Sequence, residues 1–183
     1  MVFEWQLRGT PSWANLTLDE RFTAFLINAD NINAPENKWL MDSVMRGENM
    51  QYKDGLAKNG CMLAIADGKR VAHFSFVLFE TSYKKMLNEP ENIPLIGNCW
   101  TSKDHRGLGL YPYAIERCCK EMASRGHKKI LISCSPENSA SIAGIKKTGF
   151  IQTREIKSIL LLTKLFAQKV TTHQASTYKI GIL

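Results

Sequence analysis

The sequence predicts one α/β domain, a mixed and mostly antiparallel sheet with helices on both faces. Three observations carry this. Short runs of β pattern between residues 61 and 100 are joined by a hairpin signal and by a polar loop. After residue 100 the chain alternates loop, helix, strand, helix and strand. Its 183 residues, 44% hydrophobic and 22% charged, suit a single domain with a sizeable core.

The elements follow in order. Residues 1–60 read as mainly helical after a short strand at Phe3 to Arg8. Thr17-Leu-Asp-Glu20 has the form of a capping box, and Phe22, Phe25 and Leu26 follow at helical spacing. Asn33-Ala-Pro35 breaks that helix. A second one starts near Glu36, carries Trp39, Leu40, Val44 and Met45 on one side, and ends at Gly47. Cys61 to Ala66 reads as a strand, Asp67-Gly68 as a hairpin turn, and Val71 to Phe79 as the returning strand. Alternation places Ala72, Phe74, Phe76 and Leu78 on one face, and His73, Ser75, Val77 and Phe79 on the other. Residues 81–92 form a polar loop, and Ile93 to Trp100 is a third antiparallel strand.

A glycine loop comes next, Thr101-Ser-Lys-Asp-His-Arg-Gly-Leu-Gly-Leu-Tyr-Pro-Tyr113, followed by a helix over 113–124. A strand that breaks into glycines and then a helix can cradle phosphate. Glycine lets the backbone approach a ligand, and the first helical N–H groups have no partners of their own. The loop lacks the Gly-Lys-Ser/Thr ending of a P-loop and the third glycine of a dinucleotide fingerprint. Beyond it lie a strand from Lys129 to Ser135, a helix over 138–148, and two C-terminal strands, Ile151 to Leu165 and Thr177 to Leu183, joined by a polar loop.

The segment Ile130 to Phe150 changes the weight of the glycine loop. It is a buried strand, a turn with Pro136, an asparagine, a short helix and Gly149-Phe150 as the exit. With Arg106-Gly-Leu-Gly-Leu-Tyr111 it resembles the GNAT superfamily of acyl-CoA-dependent N-acyltransferases. Their loop reads Arg/Gln-x-x-Gly-x-Gly/Ala, and their later segment reads strand, Asn-x-x-Ala/Ser, helix, Gly-Phe. The resemblance covers roughly residues 61–165. It implies a fold whose central strands splay, with acetyl-CoA as co-substrate and no metal. The N–H groups of Gly107, Leu108, Gly109, Leu110 and Tyr111 would then hold the coenzyme A pyrophosphate, with Arg106 adding charge and fixing the loop. Cys99, Trp100 and Thr101 would pair through their backbone with the pantetheine arm, an N–H there polarising the thioester carbonyl. Asn138 and Ser141 match positions that contact the arm or hold the second helix in place.

Two positions depart from the family pattern. Tyr111, followed by Pro112, stands where the loop motif has a small residue. Ile145 stands where many members carry a tyrosine that protonates the leaving thiolate. Water, the substrate ammonium, Tyr113 or Ser141 are the substitutes open to this chain. For the amine's proton, His73 and Glu80 are the candidate bases, each with a plain alternative: a hydrogen-bonded structural histidine and a solvated strand end. His105 would touch phosphate. Cys99 and Cys134 are either a nucleophile for a ping-pong route or buried thiols, with no basic neighbour in sequence favouring the first. Trp5, Trp13 and Trp39 either stack on an acceptor or pack in a core.

Composition narrows the partners. The formal net charge is +7, yet the basic residues are scattered, with Lys84-Lys85, Lys128-Lys129 and Lys146-Lys147 as the longest clusters. This argues against nucleic acid and suits an anionic small ligand. No apolar run approaches the roughly 20 residues of a membrane span, and Met1 to Gln6 lacks the pattern of a signal peptide. Five cysteines at irregular spacing fit free thiols in the cytoplasm rather than a disulfide framework or metal site.

The expected unit is 1–183, with 1–60 on the acceptor side, 61–165 as acyl-CoA core and 166–183 as a C-terminal strand. The expected function is N-acetyltransferase: direct transfer of an acetyl group to the primary amine of a small molecule such as an amino sugar or amino acid. The alternatives are a macromolecular acceptor (a protein amine or charged tRNA) and a non-catalytic acyl-CoA sensor. The sequence is silent on acyl-chain length and leaves a homodimer open.

Overall fold

A computed structural model describes residues 1–6, 13–81, 84, 86–161, 164–172 and 175–180. Nine strands among them join in one sheet. In chain order they are β1 (Val2–Gln6), β2 (Phe22–Ile27), β3 (Cys61–Asp67), β4 (Arg70–Leu78), β5 (Leu95–Thr101), β6 (Lys129–Ser133), β7 (Ile151–Leu161), β8 (Lys164–Thr172) and β9 (Ser176–Ile180). The spatial order is β2-β3-β4-β5-β6-β1-β7-β8-β9. Every neighbouring pair is antiparallel except β5 and β6.

Helices cover both faces, and the apolar residues of the strands divide between them. On one face α1 (Lys38–Val44) and α2 (Lys53–Lys58) bury Leu40, Val44 and Leu56 against Met62, Ala64, Phe76 and Leu78. On the other, α3 (Leu110–Ser124) and α4 (Ser139–Lys146) bury Leu110, Ile115, Met122 and Ile145 against Leu63, Ile65, Val77 and Ile132. β3 lies between both layers, which is why Cys61 to Ala66 reads as a continuous apolar run and is buried throughout. No helix among the described residues is long and apolar enough to cross a membrane.

The N-terminal sixty residues are less helical than their pattern suggests. β1 is an interior strand, paired with β6 on one side and β7 on the other. The last two residues of its expected span, Leu7 and Arg8, lie outside the described residues. No helix follows Thr17 to Glu20. There the Asp19 carbonyl accepts from the Phe22 N–H at 3.0 Å and its carboxylate accepts from the Arg21 N–H at 3.1 Å, closing a turn. Phe22, Phe25 and Leu26 then run in β2, paired with β3 at six positions. Three apolar residues in so short a run fit either period, and ladder bonds to a buried strand decide for β.

The polar stretch after Leu165, expected as a loop, belongs largely to β8. Its backbone is paired on both sides, by β7 and β9. Gln168 is buried there because its amide donates to the Met86 carbonyl at 2.5 Å. The C-terminal part is therefore a three-stranded meander, not two strands and a loop. Residues 181–183 lie outside the described residues.

Two polar clusters hold the long-range joints. Arg154 on β7 donates to Glu4 on β1 at 2.8 Å and to Glu89 ahead of β5 at 2.5 Å, and Lys129 on β6 reaches Glu89 at 3.1 Å. Lys84, 1% exposed, donates to the carbonyls of Phe79, Glu91 and Ile93 at 2.6 Å each, clasping the segment between β4 and β5. These charges are compensated within the protein, as burial demands.

Candidate functional site

The sheet opens in its middle. β5 and β6 pair only at Leu95 with Leu131 and at Ile96 with Ile132. From Gly97 to Thr101 β5 stays with β4 and leaves β6 behind. The cause is local. Between Phe74 and Phe76 on β4 the partner strand advances three residues, from Trp100 to Gly97, so β5 carries an extra residue. Asn98 sits in this bulge at φ 47°, a left-handed conformation that asparagine tolerates better than most residues. Its side-chain amide donates to Asn49 Oδ1 at 2.6 Å, tying the bulge to the turn Gly47–Tyr52 before α2.

A cleft of about 490 Å³ opens on the α3 and α4 side of this parting. Cys99, Trp100 and Thr101 line it from β5, and Arg106, Gly107 and Gly109 from the loop. Leu110 and Tyr111 line it from the first turn of α3, and Asn138 and Ser141 from the start of α4. Residues far apart in sequence and expected to act together thus share one cavity. Leu108 is the exception; its side chain is 47% exposed and stands outside the lining.

The loop owes its shape to glycine. Gly107 and Gly109 have φ of 78° and 76°, and Gly109 is the residue that caps α3. No side chain caps that helix end, and its first turn holds no carboxylate. The helix begins at Leu110, three residues ahead of the expected start. Pro112 is accommodated because a first-turn residue has no intrahelical N–H bond to lose. Arg106 donates through Nε to the Thr101 carbonyl at 3.4 Å, holding the loop against the strand end. Arg106 and Lys147 bring positive charge to a lining that contains no carboxylate. Open N–H groups, left-handed glycines and two cations fit a phosphate-bearing ligand.

α4 is held by its own cap. Asn138 Oδ1 accepts from the Ser141 N–H at 3.0 Å, the helix-holding role among the two expected of it. The large Tyr111 is accommodated by Gly144 on α4. A Cβ at that glycine would stand 2.7 Å from Tyr111 Cδ1, so the ring lies directly on the helix backbone.

Several expected roles do not survive the geometry. His73 is fully buried, with Nδ1 2.8 Å from Thr101 Oγ1 and Nε2 2.8 Å from Ser75 Oγ. Burial pushes its pKa down to about 3, so it is a neutral, fully engaged ring and no base for an incoming amine. Its strand face, expected to be open, is covered by α3. Ala72 joins His73 on that face because β4 bulges where Ile65 pairs with His73 and Ala66 with Val71. Tyr113 packs against the core beneath α3 and does not line the cleft. Two residues along a helix turn by about 200°, so Tyr111 faces the cleft and Tyr113 cannot.

His105 reaches the cleft wall, but Nδ1 lies 2.5 Å from Ser102 Oγ and Nε2 3.1 Å from Asp67 Oδ2. It fastens the loop to the β3–β4 hairpin rather than presenting a free nitrogen to phosphate. That bond also holds the Asp67 carboxyl below its usual range. Burial raises the Cys99 thiol to about 11 and also raises Cys134. With His73 bonded elsewhere, neither is an activated nucleophile. Trp5 stacks on Trp13 at 5.2 Å and Trp39 meets Phe25 edge-on at 5.9 Å, all three as packing. No group of three His, Cys, Asp or Glu side chains suited to a metal ion is found among the described residues.

Glu80 lies elsewhere, in a second cleft of about 380 Å³ on the α1 and α2 side. Gln51, Tyr52, Thr81, Gly97 and Asn98 share it, and Lys58 Nζ stands 3.7 Å from the Glu80 carboxylate. The two clefts therefore meet at the bulge, Asn98 lining one and Cys99 the other. Nothing in the sequence pointed to the Asn98–Asn49 bond or to this cleft. A lone glycine inside a helical pattern was the available signal for Gly144.

Similarity to known proteins agrees with this architecture. A protein from Novosphingobium aromaticivorans described as a GNAT-family acetyltransferase is 18% identical, with a TM-score of 0.49 over 82% of this chain and 58% of that one. A GCN5-related N-acetyltransferase-like protein from Streptococcus suis is 16% identical, with a TM-score of 0.50 over 82% of this chain and 57% of that one. This chain thus spans under two thirds of the length of either protein. A Clostridium acetobutylicum protein described as an acetyltransferase, solved with acetyl-CoA, is 19% identical, with a TM-score of 0.52 over 77% of this chain and 97% of that one. At such identities the likeness to the second and third is one of fold. No curated protein matches the chain by sequence. The model of the acetyltransferase (GNAT) family matches residues 23–150, from β2 through the glycine loop to the end of the Asn138 segment. The chain belongs to the acetyltransferase (GNAT) family.

Proposed function

We propose that the protein transfers an acetyl group from acetyl-CoA to the primary amine of a small polar molecule, such as an amino sugar or amino acid, by direct attack in a ternary complex. The observation that carries this reading is the parting of β5 and β6 at Asn98, with a cleft on either face of the sheet. The loop-side cleft suits the coenzyme: pyrophosphate on the N–H groups of Gly107 to Tyr111, arm along Cys99 to Thr101. Backbone released by the bulge is available to polarise the thioester carbonyl. The opposite cleft suits the amine. It is small and polar, and its one carboxylate, Glu80, favours a cationic acceptor and can take up its proton through water. Direct attack is favoured over a ping-pong route because the two thiols at the parting are held protonated.

The test is release of free thiol from acetyl-CoA by purified protein across a panel of amines. Release that requires a small amine supports the proposal. Release only with proteins or charged tRNA moves the acceptor to a macromolecule. Tight acetyl-CoA binding without amine-dependent release makes the chain an acyl-CoA sensor and sinks the enzymatic reading.

A further inference from the structure

The departing sulfur of a thioester carries the bonding pair away and must gain a proton to leave as a thiol. The residue at the position where many relatives place a tyrosine for this, Ile145, is a fully buried hydrocarbon. Tyr113 faces the core, and both nitrogens of His73 are engaged.

Tyr111 meets the requirement from another element. It projects from the first turn of α3 into the loop-side cleft. Its ring lies on α4 at Gly144, and Ser141, one turn earlier on the same helix face, lines the cleft beside it. Cys99 on β5, beyond the last pairing with β6, lines the same cleft, so the phenol shares the opening where the strands part. Burial keeps the phenol protonated at neutral pH, the form in which it can supply a proton.

We infer that Tyr111 is the catalytic proton donor to the leaving thiolate, seated by Gly144 beside Ser141. The inference rests on the acetyl-transfer reading above. The amine nitrogen attacks the carbonyl carbon, the N–C bond forms, and the C–S bond breaks. The phenolic proton passes to sulfur, releasing coenzyme A as the thiol. The proton shed by the nitrogen as the amide forms returns to the tyrosinate through Ser141 or water, and the site is restored. Gly144 is thereby a positioning residue: any side chain there pushes the ring from its seat.

The experiment is a cycle of Tyr111→Phe and Gly144→Ala on the full chain, with amine-dependent thiol release and coenzyme A binding measured on each. Tyr111→Phe keeps the ring and removes only the proton. Its kcat is expected to fall about 100-fold, with coenzyme A affinity and acetyl-CoA KM unchanged. Gly144→Ala is expected to lower kcat alone but to add little further loss when combined with Tyr111→Phe, because the group it displaces is already gone. A structural role for the pair would lower the melting temperature and coenzyme A affinity together with kcat. Unchanged kcat in Tyr111→Phe, or a loss confined to KM, overturns the inference while leaving acetyl transfer intact. A wild-type protein that releases no thiol with any amine sinks the transfer reading first, and this role with it.

Discussion

Replacing Gly109 by alanine perturbs the candidate phosphate loop through its backbone alone. Gly109 has φ of 76°, and a Cβ built there meets no atom within 4 Å. Crowding is absent, so the whole cost is the left-handed conformation, about 1–2 kcal/mol for a residue with a Cβ. The alanine loop keeps part of that strain as lost stability and relaxes the rest, so it must be restrained again when coenzyme binds, and affinity falls by up to roughly 5- to 30-fold, the equivalent of the whole energy. Gly126→Ala is the matched control. Its φ is 88°, it too has nothing within 4 Å, and it lies just beyond the far end of α3. Fifteen helical residues place the two glycines on the order of 20 Å apart. Calorimetric titration with coenzyme A and thermal melting on both variants separate strain from function. Both should lose stability, and only Gly109→Ala should lose affinity. Equal affinity in wild type and both variants, or equal weakening by both, refutes the loop assignment.

Other perturbations have equally definite outcomes. Arg154→Met leaves the carboxylates of Glu4 and Glu89 without their shared guanidinium and should cost about 3 kcal/mol in urea unfolding, with coenzyme A binding retained. Because His73 is neutral in the folded protein down to about 3 but titrates near 6.5 when unfolded, the unfolded state binds the extra proton between those values. Stability should therefore fall as pH drops through that window, by up to about 1.4 kcal/mol per pH unit, and His73→Asn should flatten the slope. At the bulge, Asn98→Ala both strains the left-handed backbone and loses the bond to Asn49, and should lower kcat/KM about 10-fold. Asn98→Gly, which loses only the side chain, should lose less; equal activity in both would detach the bulge from catalysis.

Local signals were the readable ones. The β3–β4 hairpin, the glycine loop and the Asn138 cap depend on residues within a few positions of one another, and the structure has them where the pattern put them. Long-range pairing was not readable. The slot of β1 between β6 and β7 is set by partners more than a hundred residues away, and β2 exchanged a helical pattern for ladder bonds to β3. The candidate catalytic residues failed for small geometric reasons. The bulge at Ala72 and the cover of α3 enclose His73, and a helix starting at Leu110 turns Tyr113 to the core and Tyr111 to the cleft. Glu80 stays a candidate base only because a second cleft, lined by the turn before α2, borders the same bulge.

A crystal structure of the protein with acetyl-CoA tests the central claim most directly. The pyrophosphate should lie on the N–H groups of Gly107 to Tyr111, the pantetheine arm between β5 and β6, the thioester carbonyl at the Asn98–Cys99 backbone, and the sulfur beside the Tyr111 hydroxyl. Coenzyme bound outside the loop-side cleft, or an arm that leaves the parting of β5 and β6 empty, would contradict it.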